Sequence, residues 1–358
     1  MEQVLQQFKD RISAATAGGS ALQIRGGGTK DWYGQTPQGD VLDTRAYTGI
    51  IDYDPTELVI TARCGTPLAE IDAALAQQGQ MLAFEPPHFG RDATIGGAVA
   101  SGMSGPRRQA VGALRDFMLG AVLMDGKGEV LHFGGQVMKN VAGYDVSRLL
   151  SGSLGTLGLL LEVSVKVLPK ALAESSIRLA MSQADALHHL NTWGGQPLPI
   201  SASAWHDGGL TVRLSGADAA VKAAKQKMGG EVLADADADA FWSGLREQTT
   251  PFFTAAINSA AGLWRLSVPS VTAPLDLPGQ QCIEWGGAQR WLAAEIDAAR
   301  LRTIVEKIGG HATLFRGGDK QAGVFHPLAP SVAGIHRRLK QSFDPAGIFN
   351  PGRMYPDL

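Results

Sequence analysis

Two glycine-rich stretches carry the residue types best suited to chemistry. The first, Arg25-Gly26-Gly27-Gly28-Thr29-Lys30, follows the apolar-alternating Ala21-Leu22-Gln23-Ile24; the second is Thr94-Ile95-Gly96-Gly97-Ala98-Val99-Ala100-Ser101-Gly102. Consecutive glycines lack Cβ atoms, so the backbone can turn with positive φ and bring bare N–H groups close to an anion. Thr29 adds a hydroxyl, and Arg25 or Lys30 a positive charge. The second stretch reads as a turn that opens a short helix of small residues, whose first amides and dipole favour the same kind of ligand. Two such walls suit a diphosphate better than a single phosphate. A glycine triplet alone is more often only a flexible surface turn; the pairing of two runs is what points to an anion.

Several nucleotide and nucleophile motifs are excluded by spacing. Asp31 falls where the third glycine of G-x-G-x-x-G would follow Gly26 and Gly28, so a nicotinamide-type dinucleotide site is not supported. Gly126-Lys127 lacks the P-loop spacing and its following Ser or Thr. Gly102-Met103-Ser104-Gly105 misses the nucleophile elbow by one residue. Ala234-Asp235-Ala236-Asp237-Ala238-Asp239-Ala240 has no Gly and no terminal Glu for a calcium loop and reads as a polar surface link.

The elements that must position these stretches are legible from periodicity. Val4, Leu5, Phe8 and Ile12 recur at helical spacing before Gly18-Gly19. Short strands follow at Val41-Leu42-Asp43 and Ile50-Ile51, and a firmer one at Glu57 to Arg63. Thr66 reads as the cap of a helix with Pro67 at its first position and Leu68, Ile71 and Leu75 as the buried stripe. Phe117 to Met124 is a strand that turns at Asp125-Gly126 and pairs with Glu129 to Phe133 as a hairpin. Met138 to Tyr144 is a loop, Asp145 to Leu150 a short helix, and Leu157 to Leu168 a long strand ended by Pro169. Beyond residue 170, strands at Ser201 to Trp205, Leu210 to Leu214, Leu263 to Val268 and Ala312 to Phe315 alternate with helices at Ala217 to Met228 and Asp297 to Ile308. That pattern suits a layered α+β domain of the ferredoxin-like sort. Six of the seven tryptophans lie after residue 190, as core residues or as a subunit face.

Composition narrows the class. A chain of 358 residues with 44% hydrophobic content suits two folded domains. With 32 basic and 34 acidic residues the net charge is −2, which gives no reason to expect nucleic acid or strong membrane-surface attraction. Cys64 and Cys282, far apart and outside any C-x-x-C pattern, fit a reducing compartment and argue against a disulfide framework or zinc site. No apolar run approaches the ~18 residues of a membrane span, and the first residues begin an amphipathic helix, so a cytoplasmic protein is expected.

Four motifs in order then carry a resemblance. Arg25 to Thr29, Asp92-Ala93-Thr94-Ile95-Gly96-Gly97, Lys139-Asn140-Val141-Ala142-Gly143-Tyr144-Asp145 and Gly152-Ser153-Leu154-Gly155-Thr156-Leu157-Gly158 resemble the FAD-binding (PCMH-type) domain of the vanillyl-alcohol-oxidase superfamily. The tail from Asp344-Pro345 to Asn350-Pro351-Gly352-Arg353 is similar to the end of its 2-hydroxy-acid dehydrogenases. Through Tyr53 to Val59, Glu85-Pro86-Pro87-His88 and Phe349 to Met354, nearly the whole chain resembles the smaller FAD-binding subunits of bacterial glycolate oxidases.

The resemblance implies an α+β fold in three parts. Residues 1–170 form a PCMH-type FAD-binding domain, α/β over 1–85 and antiparallel over 86–170. Residues 171–330 form a cap, and residues 331–358 return to the flavin domain. It implies an FAD pyrophosphate wrapped by Gly26, Gly27, Gly28 and Thr29, with Arg25 and Lys30 beside them, and by Thr94, Ile95, Gly96, Gly97, Ala100 and Ser101. Gly155, Gly158 and Leu159 then meet the adenine and ribose end, and Pro86, Pro87 and Asn350 complete the cofactor set. Many covalent members carry His after the glycines; Thr29 stands there, which implies a non-covalent flavin.

The partners implied are a larger FAD-binding subunit and an iron–sulfur subunit, with a small 2-hydroxy acid, glycolate or D-lactate, as substrate and the inner face of the membrane reached only through those partners. The acid-His-Gly base motif and the paired metal-holding histidines of the superfamily's dehydrogenases are absent here, so no catalytic residue and no metal ligand is assigned. Two other readings stay open: a non-catalytic assembly subunit of the same complex, and a stand-alone FAD-dependent 2-hydroxy-acid dehydrogenase.

Overall fold

Phe8, Ile12 and Ala15, one stripe at helical spacing, are the buried residues of α1 (Glu2–Gly18), and Gly19 ends the helix in the left-handed conformation at φ 64°. The computed structural model describes residues 1–135, 145–259 and 261–358. The motif residues Lys139 to Tyr144 and the loop expected at Met138 to Tyr144 lie outside them. By contact density the chain divides into a first unit of residues 1–103, 113–169 and 327–358 and a second of residues 104–112 and 170–326.

In the first unit β1 (Leu22–Arg25) pairs in parallel with β2 (Asp40–Asp43). β3 (Ile50–Asp54) and β4 (Val59–Arg63) precede α2 (Leu68–Gln77), whose buried residues are Leu68, Ile71 and Leu75. Its expected cap is corrected: Pro67 occupies the N-cap position, because the Thr66 hydroxyl accepts instead from the Gly49 N–H at 2.9 Å. After β5 (Gln80–Met81) comes α3 (Ile95–Ser101), capped by Thr94 and ended by Gly102 at φ 63°. α4 (Arg108–Val111) belongs to the second unit.

The chain returns through α5 (Leu114–Phe117) to β6 (Met118–Met124), which makes the anticipated hairpin with β7 (Val130–Gly134) in a register that pairs Met124 with Val130. α6 (Val146–Leu150) is capped by Asp145; β8 (Leu159–Lys166) is shorter than expected at both ends; β9 (Leu168–Pro169) pairs with β5. The sheet order is β3-β4-β8-β6-β7, antiparallel throughout, so strands from either side of residue 85 share one sheet.

The second unit is one pattern used twice. β10 (Ala173–Ala180), α7 (Gln183–Gly194), β11 (Ile200–His206), β12 (Gly209–Gly216), α8 (Asp218–Met228) and β13 (Glu231–Val232) run β-α-β-β-α-β with strand order β13-β10-β12-β11, a split β-α-β of the ferredoxin-like kind. α9 (Asp235–Arg246) and α10 (Pro251–Asn258) intervene. Then β14 (Gly262–Ser267), β15 (Gln280–Glu284), β16 (Gln289–Ala294), α11 (Ala298–Glu306) and β17 (His311–Arg316) repeat the order as β15-β16-β14-β17, with a loop in place of the first helix. Antiparallel pairing of β11 with β15 makes one eight-stranded sheet.

Each half has its own core, Leu210, Val212 and Leu214 at period 2 against Val221 and Ala224 in one, Leu266, Leu292 and Leu314 against Leu301 and Val305 in the other. The surface link expected at residues 234–240 is corrected to the first turns of α9. There Asp235 and Asp237 meet the helix dipole, and Ala238, Trp242 and Leu245 form a buried stripe. Trp193, Trp242, Trp264 and Trp291 are all core residues. α12 (Pro330–Phe343) belongs to the first unit. Among the described residues no helix is long and apolar enough to cross a membrane.

Candidate functional site

β1 delivers the first glycine bend, and β4 with α2 sets the position of the second. Of the three glycines only Gly28 has positive φ, 72°. The other two are required by close approach rather than by turning. A Cβ on Gly26 would stand 2.6 Å from Thr94 Oγ1, and one on Gly27 only 1.6 Å from the Asp92 carbonyl oxygen. The two bends therefore meet backbone against backbone. Trp32 Nε1 donates to the Thr29 carbonyl at 3.0 Å and Asp31 N–H to the Gly28 carbonyl at 3.2 Å, which holds the loop closed.

The donors are distributed unevenly between the bends. Among the described residues no protein acceptor meets the N–H groups of Gly26, Gly27, Gly28 and Thr29. At the start of α3 every amide is committed: Ile95 to the Thr66 carbonyl, Gly96 to the Cys64 carbonyl, Gly97 to Thr94 Oγ1 and Ala98 to the Thr94 carbonyl. The expectation that α3 offers its first amides to an anion is thus corrected. The backbone that follows β4 takes the first two and Thr94 the next two, and Gly96 is glycine because a Cβ there would lie 2.6 Å from the Cys64 side chain. α3 forms a wall; the first bend holds the open donors.

Two adjoining cavities result. The first is lined by Ile24, Arg25 to Asp31, Thr94, Gly97, Ala100, Ser101, Leu154, Asn350 and Arg353. The second shares Ile24, Gly26, Gly97, Ala100, Leu154 and Asn350 with it and continues along Thr44, Cys64, Gly96, Gly155, Gly158, Leu159 and Leu160. Three sequence candidates line neither: Ile95 is fully buried in α3, and Pro86 and Pro87 are buried.

The charges are already partly engaged. Arg25 Nε lies 2.6 Å from Asp31 Oδ2, and Lys30 Nζ donates to the His88 carbonyl at 3.2 Å. Arg353, which sequence spacing did not single out, is 7% exposed and donates to the backbone carbonyls of Asp31 and Gln35. Burial lowers its pKa, opposed by the Asp31 charge. Its only signal in the sequence was membership of the Asn350-Pro351-Gly352-Arg353 tail. Asn350 clamps the site: its Oδ1 accepts from Ile24 N–H at 2.7 Å and its Nδ2 donates to the Leu154 carbonyl at 2.6 Å. Gly155 is needed there, since a Cβ would stand 2.8 Å from that Nδ2.

Burial, with the nearby Glu162 charge, pushes the Cys64 thiol up, so it stays protonated. No histidine lines either cavity, and among the described residues no cluster of His, Cys, Asp and Glu could hold a metal. The arrangement can bind an anionic ligand through main-chain donors.

Residues 5–134 match the family model described as "FAD binding domain". The chain is 48% identical over 353 residues to the glycolate oxidase subunit GlcE of Escherichia coli (strain K12), covering 99% of this chain and 98% of that one. It is 26% identical to a D-lactate dehydrogenase of Archaeoglobus fulgidus over 94% of this chain and 86% of the relative. It is also 31% identical over 164 residues to the glycolate oxidase subunit GlcD of Bacillus subtilis (strain 168), 45% of this chain and 35% of that one. Among solved structures an alkyldihydroxyacetonephosphate synthase shares the fold with a TM-score of 0.66 at 15% identity, covering 96% of this chain and 73% of that one.

Proposed function

We propose that this chain, which belongs to the family of the glycolate oxidase subunit GlcE, holds FAD non-covalently against its glycine bends and serves as one subunit of a glycolate-oxidising complex. The observation that carries this reading is the row of four open N–H groups, Gly26 to Thr29, with Gly26 and Gly27 packed too closely on Thr94 and Asp92 to admit a Cβ. Such a nest suits a pyrophosphate. Gly97, Ala100 and Ser101 form the facing wall, and Gly155, Gly158 and Leu159 run along the remainder of the nucleotide. FAD, when bound, supplies the two-electron acceptor for a carbon that bears a hydroxyl.

The chain's own residues bind and orient. Arg353 adds a buried positive charge beside the bend, and Asn350 fixes β1 to the segment that carries Gly155. Thr29 offers no imidazole for attachment, and the Cys64 thiol is held protonated. Removal of the substrate hydroxyl proton needs a base, and the acid-His-Gly motif that supplies it in the superfamily's dehydrogenases has no counterpart in this sequence. We assign that chemistry to a larger FAD-binding subunit, and the onward electron path to an iron–sulfur subunit. The D-lactate dehydrogenase relative supports D-lactate as a second 2-hydroxy acid for the complex. We place the complex in the cytoplasm, with the inner membrane face approached only through partners.

The test is spectroscopic. The purified chain should show a flavin band near 450 nm, and acid precipitation should leave the flavin in the supernatant. Glycolate should bleach that band only when the larger subunit is present. A protein that stays colourless after FAD is added back would leave only the assembly role, and full turnover by the isolated chain would remove the need for a partner.

A further inference from the structure

The second unit contains a cavity of about 340 Å³ that the flavin reading does not use. Its floor is two neighbouring rows of the eight-stranded sheet. Arg178, Thr211 and Ala204 are direct partners across β10, β12 and β11; Gly209, His206 and Cys282 are partners across β12, β11 and β15. Directly opposed residues share a face of the sheet, so six residues scattered from 178 to 282 come together. Phe241 and Leu245 of α9 and Thr250, Pro251 and Phe252 at the start of α10 form the roof. An apolar enclosure with a few placed polar groups is the usual form of a small-molecule site.

Three polar side chains on the floor keep hydrogen-bonding capacity that the protein does not use. Thr211 is 2% exposed, and among the described residues its hydroxyl has no hydrogen-bond partner. Thr211 lines the cavity, so its hydroxyl can donate to or accept from a ligand atom there. Among the same residues no carboxylate or carbonyl meets the Arg178 guanidinium. His206 Nδ1 donates to the Gln281 carbonyl at 3.1 Å, and its ring packs on Phe252 at 5.0 Å between centroids. That bond leaves Nε2 with no protein partner.

We propose that this cavity binds a small carboxylate with an apolar body, the carboxylate at Arg178 and the Thr211 hydroxyl and the body between Phe241, Leu245 and Phe252. Asp207, an exposed residue at the turn beside the floor, makes the sign of the ligand a real question. Calorimetric titration of the flavin-loaded full chain with phenylacetate, phenylacetamide and 2-phenylethylamine answers it. Phenylacetate should bind at least about tenfold more tightly than either of the others, the ratio expected of a charge-assisted bond. Arg178→Gln should erase that preference while leaving phenylacetamide binding unchanged, and Arg178→Lys should restore part of it. Arg178 is exposed, so these variants are expected to fold. Equal affinity for acid and amide, tighter binding of the amine, no binding of phenylacetate, or a preference that survives Arg178→Gln would each overturn the proposal.

Discussion

Gly27 is the position where one methyl group decides the most. Its N–H is open, and its Cα lies so close to Asp92 that any Cβ must push the two bends apart. Gly27→Ala should raise the Kd for FAD, read by titrating flavin into the apoprotein, by about tenfold, equivalent to ~1.4 kcal/mol of binding. The same strain should cost ~1–3 kcal/mol of stability, as overpacking does elsewhere. Gly18, the last residue of α1, has nothing within 4 Å of an added Cβ, so Gly18→Ala should leave that Kd unchanged. Equal Kd values in the two variants would mean the bends are not the cradle.

α12 is an element with almost no core of its own. Lys340 is its one buried residue, and it donates to Asp344 Oδ2 at 2.8 Å and to the carbonyls of Thr156 and Phe349. Asp344, 1% exposed, also accepts from the N–H groups of Ile348 and Phe349. This knot carries the chain from α12 to Asn350 and so to the site. Lys340→Met strands the Asp344 carboxylate and should cost ~3–5 kcal/mol in chemical denaturation; Lys340→Met with Asp344→Asn should recover part of it. A loss below 1 kcal/mol in the single variant would show that the pair is dispensable.

β17 offers a pH test. His326 Nδ1 accepts from the Ala312 N–H at 3.4 Å. Its pKa is lowered by burial, with Glu306 opposing and Arg302 reinforcing the shift. The folded state therefore keeps the ring neutral while the unfolded chain takes up a proton below about pH 6.5. The contribution is fully present above that pH and is lost as pH falls through the lowered folded value. Between pH 7.5 and 5.5 the urea midpoint should fall more for the wild type than for His326→Gln. An equal or larger fall in the variant would reverse the sign.

At the scale of the whole molecule, two units with separate cores allow a ligand's effect to be localised. Saturating FAD, at a hundredfold excess over its Kd, adds ~2.7 kcal/mol to the states that bind it. Hydrogen exchange should accordingly slow at residues 22–31 and 154–160 and stay unchanged in β14 to β17. Protection confined to the second unit would move the cofactor there.

Local physics was written in the chain. The 3.6-residue period of Phe8 and Ile12, the Asp125-Gly126 turn of the β6–β7 hairpin and the alternation in β12 each need only a few neighbours, and each was legible. Strands β10, β15 and β16 were not. β16 carries Arg290, fully buried and satisfied by the carbonyls of Thr272, Ala273 and Gly287, which hides the apolar strand around it.

The glycines marked where the backbone comes close to something, but not to what. That Gly27 meets Asp92, that α3 spends its first two amides on Thr66 and Cys64, and that Asn350 reaches back 326 residues to Ile24 are decided by packing of distant segments. A residue type states which bonds a group can make, and only the folded neighbours decide which of them are already made.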